Sequence, residues 1–279
     1  MATAALLIAG ILCNPAAADT AEQSGGRQVW AGADVSSDVW LVYSGVTVAP
    51  WSSIYEDGIR VRAAGGYGGY KQSYTQHSID LTTDADRFTQ RELDVSTYYG
   101  EVLIGYLKRY GELTAKAFVG ASIISHNLGM AEEVIAIGDE VGIKGALELW
   151  LNIGERGWGS LDLWWSSAHD TRAARARVGY RVWPNLSIGL EGGINVDARA
   201  ECRLSGKRSR ECGHVIVSDD GTVVRDFDSA ELLDYARGGT FARYEWGVSE
   251  VSVSVGALRN AFADNEVAPY VTLNWLTQF

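Results

Sequence analysis

The sequence predicts an all-β protein, a transmembrane antiparallel up-and-down β-barrel of about twelve strands. Three observations predict it. Segments of about nine to twelve residues alternate apolar and polar side chains along most of the chain, the span of a tilted membrane strand. The connections between them sort into a short set and a long set on opposite sides. Charged residues inside the segments keep to one parity, as they do when one face meets lipid and the other a lumen.

The elements follow in chain order. "ALLIAGIL", residues 5–12, precedes Ala16-Ala17-Ala18 and Asp19. This reads as a signal peptide over 1–18, although no basic stretch precedes it; a buried N-terminal strand is the alternative. Residues 19–27 are then a short periplasmic segment and 28–279 the barrel. Strands are expected near 28–36, 38–49, 58–74, 94–107, 112–126, 141–153, 158–168, 172–183, 186–198, 236–247, 249–258 and 267–279. The first two are alternatively one long bent strand. "GIKGALELWLNIG" sets Ile143, Leu147, Leu149 and Leu151 against Lys144, Glu148 and Asn152. "VSVSVGA" sets Val251, Val253 and Val255 against Ser252 and Ser254.

With a periplasmic N-terminus, the connections at 50–57, 108–111, 154–157, 184–185 and 248 are short, and those at 75–93, 127–140 and 199–235 are long and outer. A soluble secreted sandwich has no reason to segregate its loops this way. An even strand count returns the C-terminus to the periplasm. There "PYVTLNWLTQF" places Val271, Leu273, Trp275 and Phe279 on one face, and Trp275 and Phe279 read as a barrel assembly signal. Trp51, Trp158, Trp183 and Trp246 lie near strand ends and suit aromatic girdles.

Composition excludes several classes. A net charge of -11 leaves no basic excess to neutralise phosphates, which argues against nucleic-acid binding. No run approaches the ~18 apolar residues of a membrane helix. Once Cys13 leaves with the signal peptide, Cys202 and Cys212 remain as a candidate disulfide, with two free thiols as the alternative. Nearby His214 alone does not complete a metal site, and no cofactor is expected. Ser125, His126, Ser167 and His169 are the nearest approach to hydrolase chemistry, but Ser125 and His126 are sequence neighbours and so face opposite sides of a strand. No nucleophile elbow or phosphate loop is present in the sequence, so the reading is non-enzymatic.

The polar parity supplies the candidate site. Arg60, Arg62, Arg175, Arg177 and Arg181 face the lumen with Glu148, Asp162 and Glu191. They either cross-brace the interior with ion pairs or line a selective passage. Trp150 and Trp164 share lumen parity and either fill the interior or line a glucan path.

A combination of motifs points further: "WAGADVSSD" (30–38), "VTVAP" (46–50), "EDGIRVRAAGGYGGY" (56–70) and "EVLIGYLKRYG" (101–111). It resembles the cellulose biosynthesis BcsS family, proteins encoded with bacterial cellulose synthase in alphaproteobacteria. Gly32, Asp34, Asp38, Pro50, Arg60, Arg62 and the Gly65–Tyr70 run carry the resemblance, strongest over the first 110 residues. The resemblance implies an outer-membrane location and a role in cellulose production, export or surface organisation. It also implies contact with lipid and with cellulose or other components of the cellulose synthase system. It supplies no catalytic residues. A general porin or small-solute channel is the alternative function.

Overall fold

A computed structural model describes residues 25–80, 85–128, 139–197, 215–217, 223–225, 233–260 and 266–279. The expected signal peptide 1–18, Cys202, Cys212 and His214 lie outside the described residues, as do 129–138 and most of 199–232.

Twelve strands close a barrel: β1 (Arg27–Ser36), β2 (Val39–Val48), β3 (Gly58–Asp80), β4 (Ala85–Tyr110), β5 (Leu113–Leu128) and β6 (Asp139–Ile153), then β7 (Gly157–Ser166), β8 (Thr171–Trp183), β9 (Leu186–Asp197), β12 (Leu233–Trp246), β13 (Ser249–Asn260) and β14 (Glu266–Gln278). Successive strands are antiparallel neighbours, and β14 returns to pair with β1 from Gln28↔Gln278 to Ser36↔Tyr270. Closure pairs the backbone groups that an open sheet would leave unsatisfied at its two edges in lipid. A separate small hairpin, β10 (Val215–Val217) with β11 (Val223–Arg225), lies in the connection between β9 and β12. The first two expected strands are two: β1 and β2 meet at a tight turn in which Ser36 Oγ accepts from the Val39 amide at 3.1 Å.

Both described chain ends lie at one end of the barrel, where Phe279 N donates to Arg27 O at 2.9 Å. The connections at that end are short. Two of them, after Tyr110 and after Trp246, are two-residue loops opened by Gly111 (φ 60°) and Gly247 (φ 54°), a left-handed conformation that glycine adopts without a Cβ penalty. The long connections lie at the other end.

One expectation is corrected there. The stretch 75–93, expected as a long loop, is mostly strand: β3 and β4 run on together from Lys71↔Asp94 to Asp80↔Ala85. "QSYTQHSID" and "ADRFTQREL" are polar on both parities. A ribbon that continues past the lipid has no apolar face to reveal it by alternation.

Within the barrel the two parities separate sharply. Val102, Ile143 and Leu190 are each more than 60% exposed on the outer face, and with their neighbours they form an apolar belt far larger than a water-facing surface carries. Aromatic rings border it: Trp183, Trp246 and Tyr110 toward the short-turn end, and Trp40, Tyr67 and Trp165 toward the other. Trp158 is a correction to the expected girdle. It is 1% exposed and points into the lumen, because it shares parity with Trp164 on β7.

Candidate functional site

Every strand contributes alternate residues to the lumen, and neighbouring strands repeat one packing device there. An inward aromatic ring lies over an inward glycine on the adjacent strand. A Cβ at Gly179 would stand 2.4 Å from Trp158, one at Gly189 2.5 Å from Phe241, and one at Gly66 2.5 Å from Tyr99. The missing side chain leaves room for the ring to lie flat against the wall, which is how a barrel of this size accommodates large residues inside.

At the short-turn end these rings gather. Trp150 and Trp158 stack with centroids 4.5 Å apart, Phe241 lies 5.3 Å from Trp158, and the Arg243 guanidinium sits 4.9 Å from the Trp150 ring centroid. Arg243 is held in turn by Glu250 and, at 2.7 Å, by Glu245, which Arg181 approaches at 3.7 Å. The lumen is narrowed here by stacked rings locked under a paired cation.

Arg60 also lies at the short-turn end but serves the wall. Its guanidinium bonds Ser52 Oγ at 3.0 Å and the carbonyl oxygens of Ser53 at 3.0 Å, Ile54 at 3.2 Å and Glu56. With 0% exposure, it is consumed in holding the 49–57 turn beneath the barrel. In that turn Asp57 accepts from Lys108 Nζ at 2.5 Å and from the Arg109 amide at 2.9 Å. The Lys108 hydrogen bond, aided by the Arg109 amide, holds the Asp57 carboxyl below its ordinary pKa.

Deeper in, ion pairs tie strands together across the interior. Glu148 accepts Arg62 at 2.5 Å and Lys116 at 3.3 Å. Lys144 pairs with Glu101. Glu191 takes Arg175 at 2.6 Å, Ser254 Oγ at 3.0 Å and the Tyr270 hydroxyl at 2.9 Å, joining β9 to β8, β13 and β14. Asp34 takes Arg237 at 3.2 Å and the Thr272 hydroxyl. Asp162 and Arg177 differ: among the described residues no cation lies within ion-pair distance of Asp162, and Arg177 bonds only Ser160 Oγ, at 3.4 Å.

Above these pairs, toward the long-connection end, lies a cavity of about 520 Å³. Its walls carry Trp30, Tyr43, Tyr99 and Trp164 among the charges of Asp34, Glu101, Asp162, Arg62 and Arg175. Near its mouth the His126 and His169 rings approach to 5.0 Å. His169 is in the left-handed region at φ 52°, in a 3-10 turn over Ala168–Asp170. Ser125 points to the opposite face from His126 and gives its hydroxyl to Asp139. The two do not form a nucleophile and base. Among the described residues no group of three or more His, Cys, Asp or Glu is placed to hold a metal ion.

Of the residues singled out from the sequence, the structure thus brings Arg62, Glu148, Asp162, Trp164 and Arg175 to one cavity. It puts Trp150 and Arg181 in or beside the ring cluster, and Glu191 among the buried ties. Trp275 and Phe279 lie on the outer face, 40% and 55% exposed. Sequence reasoning missed Phe241 as a luminal residue; the signal was its shared parity with Arg243.

Solved structures with similar folds include the KdgM porin, at 8% identity and a TM-score of 0.47 over 90% of this chain and 99% of that one. LpxR from Salmonella typhimurium matches at 9% identity and a TM-score of 0.48, over 90% of this chain and 100% of the other. The translocator domain of the autotransporter NalP from Neisseria meningitidis matches at 9% and 0.45, over 92% and 90%. No curated protein matches the chain. A family model matches residues 28–207, from β1 through β9 and beyond. The chain is an outer-membrane-type β-barrel and belongs to the family of the cellulose biosynthesis protein BcsS.

Proposed function

We propose that the barrel is a non-enzymatic outer-membrane channel for small polar solutes, working in a cell that makes cellulose. The observation that carries it is the luminal cavity, whose charged and aromatic walls lead down to the narrowing at Trp150 and Trp158. A twelve-stranded barrel is narrower than the sixteen-stranded aqueous porins, and its interior is further reduced by the ion pairs. Such a lumen suits one small solute at a time. The termini and short turns face the periplasm in this reading, with the β3–β4 ribbon outside, and Trp275 and Phe279 serve as the assembly signal.

Purified protein in a planar bilayer tests this. Small discrete conductance steps are expected; a barrel that never conducts would overturn the channel reading.

The family match supports a second reading, in which the barrel assists export or surface organisation of cellulose and meets cellulose or components of the synthase system. A clean deletion separates the two. Surface cellulose that is lost or trapped in the periplasm, and restored by the intact gene, supports the second; unchanged amount, location and fibre form supports the first alone.

A further inference from the structure

Asp162 and Trp164 are adjacent inward residues on β7, and both line the luminal cavity. Their surroundings differ from the rest of the lumen in two ways. The carboxylates of Asp34, Glu101 and Glu148 each have a cation at ion-pair distance. Asp162 has none among the described residues, and it is not sealed from the cavity. Trp164, for its part, has alanine as its cross-strand partner on both sides, Ala146 on β6 and Ala173 on β8. A large ring between two methyl groups has room beside it, and the Lys144 ammonium stands over it, 4.5 Å from the centroid.

The charge balance decides what fits. The cavity wall carries four carboxylates (Asp34, Glu101, Glu148, Asp162) and four cations (Arg62, Lys144, Arg175, Arg237). Such a wall offers hydrogen-bond donors and acceptors in quantity and no net field to draw an ion. A carboxylate with open lone pairs accepts from hydroxyl groups, and a bare ring face packs against C–H groups. One class of small molecule presents hydroxyls at its rim and C–H bonds on its faces. We propose that the Asp162–Trp164 step binds an uncharged oligosaccharide, with Trp164 under a sugar ring, Asp162 accepting its hydroxyls, and the cross-strand Arg175 donating to its oxygens. A cavity of about 520 Å³ holds a short oligomer and no more. The proposal names the solute class for the small-solute channel and rests on that reading.

Binding of cellotriose, maltotriose and trigalacturonate to the detergent-solubilised protein, followed by tryptophan fluorescence and calorimetry, tests it. Both neutral trisaccharides are expected to bind, and the acidic one to bind more weakly. Trp164→Ala and Asp162→Asn are each expected to weaken neutral binding by about tenfold or more. Trp183→Ala, on the outer face, is expected to leave it unchanged. Asp162→Asn is nearly isosteric and carries the test alone if Trp164→Ala does not fold. Unchanged affinity in the folded variants overturns the assignment, as does tighter binding of trigalacturonate. Bilayer recordings keep the two readings apart. A conducting barrel that no neutral sugar occupies overturns the site and leaves the channel. A silent barrel that binds sugar through Trp164 overturns the channel and leaves the site.

Discussion

Trp150 and Trp158 lie ring on ring, their planes 15° apart and their centroids 4.5 Å apart, at the short-turn end of the lumen. The stack exists because Gly179 leaves the wall bare beneath Trp158. Trp158→Ala is expected to destabilise the barrel by about 3–5 kcal/mol and to raise its single-channel conductance. Gly179→Val, whose Cβ would meet the ring at 2.4 Å, is expected to displace Trp158 and act in the same direction. Heat-modified gel mobility and bilayer recordings check both effects, and an unchanged conductance would show that the rings do not limit the path.

Arg60 and Arg62 are two residues apart on one face of β3, yet they have different partners. Arg60 is bound to turn carbonyls, so Arg60→Ala is expected to release residues 49–57 and cost about 2 kcal/mol. Limited proteolysis should then cut within that turn while the barrel strands stay protected. Arg60→Lys is expected to rescue little, since one ammonium cannot reproduce a fork spread over several acceptors.

Glu191 is the most connected carboxylate of the lumen, with Arg175, Ser254 and Tyr270 all donating to it. Glu191→Gln is expected to cost about 3 kcal/mol, because the Arg175 cation is left buried without its partner. The companion change Arg175→Met in the same chain is expected to recover part of the loss. Thermal unfolding in detergent of the two single variants and the double variant measures the coupling; strictly additive losses would show that the pair does not act as a unit.

Asp57 gives the short-turn end a pH dependence. Its folded-state pKa is depressed by Lys108 and the Arg109 amide. Its contribution to stability is therefore present above the unfolded carboxyl pKa and lost as pH falls through the lower, folded one. Unfolding temperature should fall with pH across the acidic range slightly less in Asp57→Asn than in the parent chain. The difference should shrink in high salt, because the pair is open to solvent.

Much of this was legible because a β-strand allows only two directions for a side chain. Glu148, Asp162, Arg175 and Glu191 lie on successive strands around the wall, and each was assigned inward from parity alone. The same parity puts Trp158 inside, against the girdle expected for it. Its position near a strand end suggested the girdle, and the shared parity with Trp164 was the stronger cue. Height along a strand was not legible in the same way. Arg60 and Arg62 look alike in sequence, and only the fold puts the turn carbonyls within reach of the first. The β3–β4 ribbon was missed because alternation appears only where one face meets lipid. The partnership of Asp34 with Thr272 spans 238 positions and depends on the register at which β14 meets β1.

That seam has a consequence in time. Hairpins such as β12–β13 and β13–β14 join segments next to each other in the chain, and they can form early. The contact between β1 and β14 cannot, because the two are the most distant strands of the barrel in the chain. Until β14 arrives, β1 waits with one row of its amides and carbonyls unmatched, and any growing sheet keeps two open margins that would template association with other chains. The slowest step of assembly is thus expected to be the joining of these two strands. A substitution at the seam, such as Thr272→Lys opposite Asp34, should slow maturation and increase aggregation more than the same change in a hairpin of comparable burial.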